Sequence, residues 1–160
     1  MYIRTYVSTD LPALIDLTVE TFRPFYESYI HPLLGDEVFQ HQHGAWDQDY
    51  RDEIPTLHDP ELRRFVAVAQ IDGTIVGYVS WKVEGRPHHG VIHLLAVASS
   101  ARRQQIGFNL CRHAMEQMKA DGVKVVEVGT GDDAFHAAAR GHYEELGFTK
   151  IPAAAYLMKI

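Results

Sequence analysis

The sequence predicts one α/β (α+β) domain over residues 1–160, with helices packed on a mixed sheet. The chain has 160 residues, 46% of them hydrophobic, which is enough for one sizeable core and lies within the usual domain length of about 100–200 residues. Apolar residues recur with period two in some stretches and at helical spacing in others. The two patterns alternate along the chain, an order expected of helices laid on a sheet.

Tyr2 to Val7 (YIRTYV) alternates as a strand. Ser8, Thr9 and Asp10 then offer helix N-caps, Pro12 is tolerated in a first turn, and Leu11, Leu14, Ile15, Thr18, Val19 and Phe22 follow at helical spacing. That helix is expected to break near Pro24. From Arg23 to Pro60 the chain is aromatic, rich in histidine and less periodic, and it reads as one or two shorter helices with loops around Asp36 to Tyr50. RFVAVAQ and TIVGYVSWKV are β-branched and aromatic runs joined by IDGT, a hairpin signal because Asp-Gly supports the positive φ angles of a tight turn.

EGRPHHG reads as a loop, and VIHLLAVA as a nearly continuous apolar strand buried on both faces. Ile106, Leu110, Ala114 and Met118 fall four apart beside Cys111 and Met115, a helix stripe closed near Gly122. VKVVEVG is a further strand. DAFHAAARGHYEEL is a helix begun by Asp132 or Asp133 and closed by Gly147, and Phe148 to Ile160 reads as one or two final strands.

A formal net charge of −6 argues against nucleic acid as a partner. Cys111 is the single cysteine, so no internal disulfide forms. With no signal-like start and no apolar run near the ~18 residues that span a bilayer, the expectation is a soluble cytoplasmic protein without membrane attachment. His41 and His43, and the pair His88 and His89, would be ligand-spaced on a strand. No HExxH and no cysteine partner accompanies them, and no metal is expected. GxxxxGK[ST] and an early GxGxxG are absent, so the familiar nucleotide loops lack their signatures.

The stretch AVASSARRQQIGFNL, Ala96 to Leu110, runs from a strand through a polar loop into a helix. A helix start has unpartnered N–H groups and a partial positive charge, so such a junction suits an anion. Arg102 and Arg103 add cationic donors. Successive N–H groups from Arg103 through Gln104, Gln105, Ile106 and Gly107 to Phe108 would grip a phosphate or pyrophosphate, and Gly107 leaves room for close approach. An ordinary solvated helix start explains the same letters equally well.

On these residues the chain resembles the GNAT N-acetyltransferase superfamily. LLAVASSARRQQIGFNL is similar to its acetyl-coenzyme A motif, an apolar strand followed by a loop and [QR]xxGx[GA] opening a helix. Arg102 matches the first position and Gly107 the last, while Gln105 replaces the middle glycine. HAAARGHYEELGF resembles the family's NxxAxxxYxxxGF, with Ala139, Tyr143, Gly147 and Phe148 in register and His136 where Asn is common. The resemblance implies a mostly antiparallel central sheet flanked by helices, with a splayed motif strand. It also implies acetyl-CoA as acyl donor, no metal, main-chain contacts from Leu95, Ala96 and Val97, and further contacts from His136 and Tyr143.

Acyl transfer to an amine needs a base, because an alkyl amine with a pKa near ~10.4 is mostly protonated at neutral pH. His93 is the first candidate. On a period-two strand it shares a face with Val91, Leu95 and Val97, and HLLAV resembles the HALAV segment of arylalkylamine N-acetyltransferases, whose histidine is implicated in proton removal. A core histidine is the competing reading, with His88, His89 and Glu84 as fallback bases. Tyr143 is the candidate acid, donating to a departing thiolate whose pKa is roughly 8.5 or above, with an ordinary core aromatic as the competing reading.

The acceptor is expected to be a small-molecule or peptide amine in an aromatic pocket. Phe22, Phe25, Tyr26 and Tyr29 cluster in ETFRPFYESYIHPLL, and Trp46, Tyr50 and Trp81 join them as wall candidates. A core or a homodimer surface accounts for any single ring equally well. Glu20, Glu27, Asp36, Glu37, Asp47 and Asp49 are either attractors of a cationic amine or plain surface. Against the N-acetyltransferase reading stand a non-catalytic acyl-CoA-binding module and a transferase of a longer acyl group.

Overall fold

Five strands form one sheet in chain order: β1 (Tyr2–Thr5), β2 (Arg64–Ile71), β3 (Thr74–Val83), β4 (His89–Val97) and β5 (Val125–Val128). The computed structural model describes residues 1–85 and 88–159, so Arg86 and Pro87 of the EGRPHHG loop and the terminal Ile160 lie outside the described residues. Pairings β1–β2, β2–β3 and β3–β4 are antiparallel, and β4–β5 is parallel. The hairpin turns at Asp72 and Gly73, whose φ angles of +50° and +81° are those a two-residue loop with the twist of its strands requires.

Alternation along β2 sorts the core onto two faces. Val66 and Val68 pack with Leu14, Leu17, Ile54, Leu57 and Tyr78 under α1 (Leu11–Phe25). Ala67 and Ala69 face the other way, beneath a long helix at Ile106–Ala120 that contributes Leu110, Cys111, Ala114 and Met118, all fully buried. Small side chains beneath that helix let it lie close to the sheet. Its stripe and its closure at Gly122, with φ +83°, follow the sequence expectation.

Pro24 does not break α1. The helix carries Pro24 in its last turn, widens into a π-turn at Tyr26–Ile30, continues as α2 (His31–Leu34) and stops at Gly35, φ +75°. A proline removes one helical bond and crowds the carbonyl four residues back, and a wider turn lets the chain run on past the defect. Two further helices, α3 (Asp36–His43) and α4 (Trp46–Glu53), complete this layer. His41 and His43 therefore sit on a helix. No group of three or more histidine, cysteine, aspartate or glutamate side chains among the described residues is arranged to hold a metal ion.

With the long helix at Ile106–Ala120 as α5, the last helix is α6 (Ala137–Glu145), which begins later than Asp132 or Asp133. Asp133 bonds locally instead: its Oδ1 accepts the His136 N–H at 3.0 Å and its Oδ2 meets His136 Nδ1 at 2.7 Å. Such side-chain bonds compete with the helical ladder and hold residues 132–136 as a turn. Gly147, φ +92°, ends α6 as expected. The final strands are absent from the described residues 148–159. Ile151 and Tyr156 are 84% and 93% exposed, and Pro152 lacks an N–H for any ladder. Among the described residues no helix is long and apolar enough to cross a membrane.

Candidate active site

The site begins with an extra residue in β4. Ser80 pairs with Leu94 but Trp81 pairs with Ile92, so His93 has no opposite number and forms a β-bulge. The bulge interrupts the period of two. Ile92 packs in the α5-side core with Leu95 and Val97, while Leu94 and Ala96 pack on the α1 side. His93 lines a cavity with Leu94 on the α1 and α4 side, so it does not share the face of Leu95 and Val97 as simple alternation implies. The Leu94 N–H, displaced from the regular ladder, donates to the buried Ser80 Oγ at 3.0 Å.

β5 pairs with β4 only from His89 to Ile92, and beyond the bulge the two strands part. Ala98 N–H donates to Val76 O at 2.8 Å, and alternation then turns Ala96 toward β3 as well. The N–H groups of Leu95 and Val97 therefore point into the gap that β5 leaves. Of the three main-chain contacts that the resemblance implies, Leu95 and Val97 face the gap and the Ala96 N–H is spent on the sheet.

The gap leads to the mouth of α5. Asn109 N–H makes the first helical bond, to Gln105 O at 2.9 Å, and no acceptor among the described residues meets the N–H groups from Arg103 to Phe108. Arg103 and Gln105 are left-handed, with φ +63° and +56°. This conformation costs a non-glycine residue about 1–3 kcal/mol, which gives a physical reason for glycine at the middle position of the motif and a cost for Gln105 there. A Cβ on Gly107 would lie 3.3 Å from His142 Nδ1 and 3.6 Å from Leu95 Cδ2, so the missing side chain keeps α5, α6 and β4 in contact.

Tyr143 projects from α6 into the α5-side core that Leu95 and Val97 border, and it is 8% exposed. Burial, reinforced by the neighbouring Cys111, pushes its phenol above the ordinary range, and burial alone pushes the Cys111 thiol up to about 12. Both stay protonated at neutral pH. His136 sits at the start of α6 against Phe25, with ring centroids 4.7 Å apart. Burial acts to raise its partner Asp133, but the bonds from the His136 side chain and backbone outweigh it and hold that carboxyl below the usual range.

Across the sheet, His93 Nε2 lies 2.7 Å from Glu53 Oε1 at the end of α4. Glu53 is absent from the sequence-based candidates. It stands 40 positions from His93, and only the fold brings the end of α4 to β4. The pair separates two cavities. One, of about 220 Å³, is walled by Tyr26, Trp46, Tyr50 and Leu94, with Asp49 at its side. Tyr26 and Trp46 stack at 4.8 Å, and burial raises the Tyr50 phenol with help from Tyr26. The other, of about 240 Å³, is bordered by Thr56, Leu57, Arg64, Ser80, Trp81 and Lys82.

The expected aromatic wall is thus partly assembled. Phe25 stacks with Tyr29 at 6.0 Å and approaches Phe135 at 5.4 Å, forming a patch beside the Tyr26 cavity. Trp81 does not join them. Its ring packs at 5.7 Å on Phe65 and 6.3 Å from His113, within the α5-side core. Of the acidic residues weighed as amine attractors, Asp49 borders the aromatic cavity. The fallback bases lie elsewhere: His88 Nδ1 contacts Gly122 O at 2.9 Å, His89 Nε2 is 3.3 Å from Glu127, and Glu84 pairs with Lys82 at 2.9 Å.

The fold is similar to those of three solved acetyltransferases. An aminoglycoside antibiotic 6′-N-acetyltransferase from Acinetobacter haemolyticus shares 15% identity over 100% of this chain and 99% of that chain, with a TM-score of 0.68. Ribosomal-protein-alanine N-acetyltransferase from Brucella melitensis shares 24% over 95% and 86%, with a TM-score of 0.63. An IAA acetyltransferase from Bacillus cereus shares 22% over 94% and 78%, with a TM-score of 0.62. A comparison with curated proteins gives no match. The model of the acetyltransferase (GNAT) family matches residues 14–148, most of the sheet and both helical layers, and the chain belongs to that family.

Proposed function

We propose that the chain transfers an acetyl group from acetyl-CoA to a primary amine of a small molecule or peptide, by direct attack of the amine on the thioester. The carrying observation is the parted edge of β4, with Leu95 and Val97 N–H groups facing the gap, Tyr143 on one side of the sheet and the His93–Glu53 pair on the other. The family generally uses acetyl-CoA as donor. The unpartnered N–H groups from Arg103 to Phe108, with the Arg102 and Arg103 side chains, suit its diphosphate. His136 and the backbone of Leu95 and Val97 suit the arm that leads from there into the gap.

The roles follow from the chemistry. An amine reaching the gap from the aromatic cavity passes His93, and Tyr26 and Trp46 bound its path. Nε2–H of His93 donates to Glu53, which leaves Nδ1 as the proton acceptor, directly or through water. As the amine nitrogen bonds to the carbonyl carbon, the Leu95 N–H takes the developing oxyanion. The C–S bond then breaks, the Tyr143 O–H donates a hydrogen bond to the departing thiolate, and the proton left on the acylated nitrogen passes to that thiolate or to water as the neutral amide forms. Burial keeps that phenol protonated, so it acts foremost as a hydrogen-bond donor. The test is a calorimetric titration with coenzyme A, followed by thiol release from acetyl-CoA with a panel of amines. The reading requires binding and amine-dependent release. Binding without release across the panel favours a binding module, and absence of binding overturns the reading.

A further inference from the structure

The two cavities that meet at the His93–Glu53 pair carry opposite free charges. In the aromatic cavity, lined by Tyr26, Trp46 and Tyr50, the Asp49 carboxylate has no cationic partner among the described residues. In the second cavity the Arg64 guanidinium has no carboxylate partner among the described residues. It makes a long polar contact, 3.5 Å from Nη1 to Thr56 O. Lys82 stands beside it, paired with Glu84. Glu53 is held by His93 and borders both cavities. At about 220 and 240 Å³ each cavity is below the roughly 300–1,000 Å³ usual for a drug-sized ligand, so neither suits a large rigid body.

We propose that the acceptor is a zwitterion of the amino-acid type, with its ammonium between Asp49 and His93 and its carboxylate on Arg64. This rests on the acetyl-transfer reading and narrows it. A guanidinium presents a fork of donors that matches a carboxylate, and a lone amine would leave that fork without a partner. Asp49 attracts the charged amine, His93 removes its proton, and the aromatic walls take an apolar side chain. Acetylation then converts the zwitterion into an anion, which Asp49 repels and Arg64 alone retains, favouring release.

The test pairs each amino acid with its decarboxylated counterpart: leucine with 3-methylbutylamine, methionine with 3-(methylthio)propylamine, phenylalanine with phenylethylamine, and an ω-amino acid with its alkylamine. Binding to the protein saturated with coenzyme A is measured by calorimetry, and thiol release is measured separately with acetyl-CoA. At least one amino acid is expected to bind about tenfold or more tightly than its partner, as a charge-assisted bond allows. Arg64→Ala should bring that ratio toward one, and Arg64→Lys should restore part of it. A ratio near one for every pair in the native protein, or a ratio that Arg64→Ala does not reduce, overturns the proposal. Carboxylate-dependent binding without thiol release would sustain the zwitterion site and overturn the catalytic reading instead.

Discussion

The two faces of the sheet are built on different principles. The α5 face is dry and closely packed, with Leu110, Cys111, Ala114 and Met118 wholly buried over Ala67 and Ala69, and its titratable groups, Tyr143 and Cys111, are locked in their protonated forms by burial. The α1 and α4 face keeps its chemistry wet. His93 and Glu53 are 41% and 39% exposed, and cavities open on either side of them. On the proposed reading, the donor side relies on main-chain groups and a buried phenol, and the acceptor side on exposed side chains of short helices, where substitution costs the fold little.

That contrast breaks most sharply at Tyr143. Tyr143→Phe keeps the ring in its core, so coenzyme A affinity measured by calorimetry should hold, while turnover falls by about 10²–10³-fold, as expected for loss of one positioned donor. Full turnover in this variant, with chemistry rate-limiting, would remove the phenol from the mechanism. His93→Ala should cost less, about 10²-fold in kcat/KM, because the site is open and water can take part of the load. Glu53→Gln should lower kcat/KM in the same direction by a smaller factor, since the ring is retained and only its orientation is loosened. If Glu53→Gln proved costlier than His93→Ala, the carboxylate would be the base.

Smaller effects test how each face is anchored. Arg4 Nη1 and Nη2 donate to Asp10 at 2.7 and 2.8 Å, and the Val7 N–H adds a bond at 2.9 Å, tying β1 to the start of α1. The Arg4 bond holds the Asp10 carboxyl below the usual carboxylate range although burial opposes it. A depressed folded pKa means that the stabilisation is present above the unfolded value near ~3.9 and is lost as pH falls through the folded value. Asp10→Asn should therefore lower stability by about 1–2 kcal/mol near neutral pH, with the difference from the native protein shrinking in acid, as read by urea denaturation. Gln105→Gly should raise Tm modestly, by relief of left-handed strain of about 1 kcal/mol partly offset by unfolded-state entropy. A fall in Tm would mean that the Gln105 side chain contributes more than its backbone costs.

Much of the scaffold was legible because it depends on neighbours in the chain. The Asp72–Gly73 turn, the α5 stripe and the Gly122 and Gly147 stops each follow from a period or a conformational preference within a few residues. The candidate site was legible in part. Arg102 to Phe108 announced a helix mouth, and Tyr143 stood out through the resemblance of HAAARGHYEELGF, while its burial in the α5-side core is visible only in the structure. Glu53 carried no local signal, Trp81 looked like its aromatic neighbours, and the run Asp132–His136 had helical letters that Asp133 diverts into a turn.

The sequence by itself determined which segments are strands and helices across most of the chain and where a strand feeds a helix with free N–H groups, because hydrogen-bonding geometry and side-chain period act locally. Tertiary structure alone decided that β4 carries one residue more than β3 opposite it. It also decided that His93 thereby turns toward Glu53, that the helix survives Pro24, and that the tail stays out of the sheet. Register and partner choice are set by what packs from elsewhere in the chain, and a one-residue slip moves a side chain to the other face of a sheet without altering its local letters.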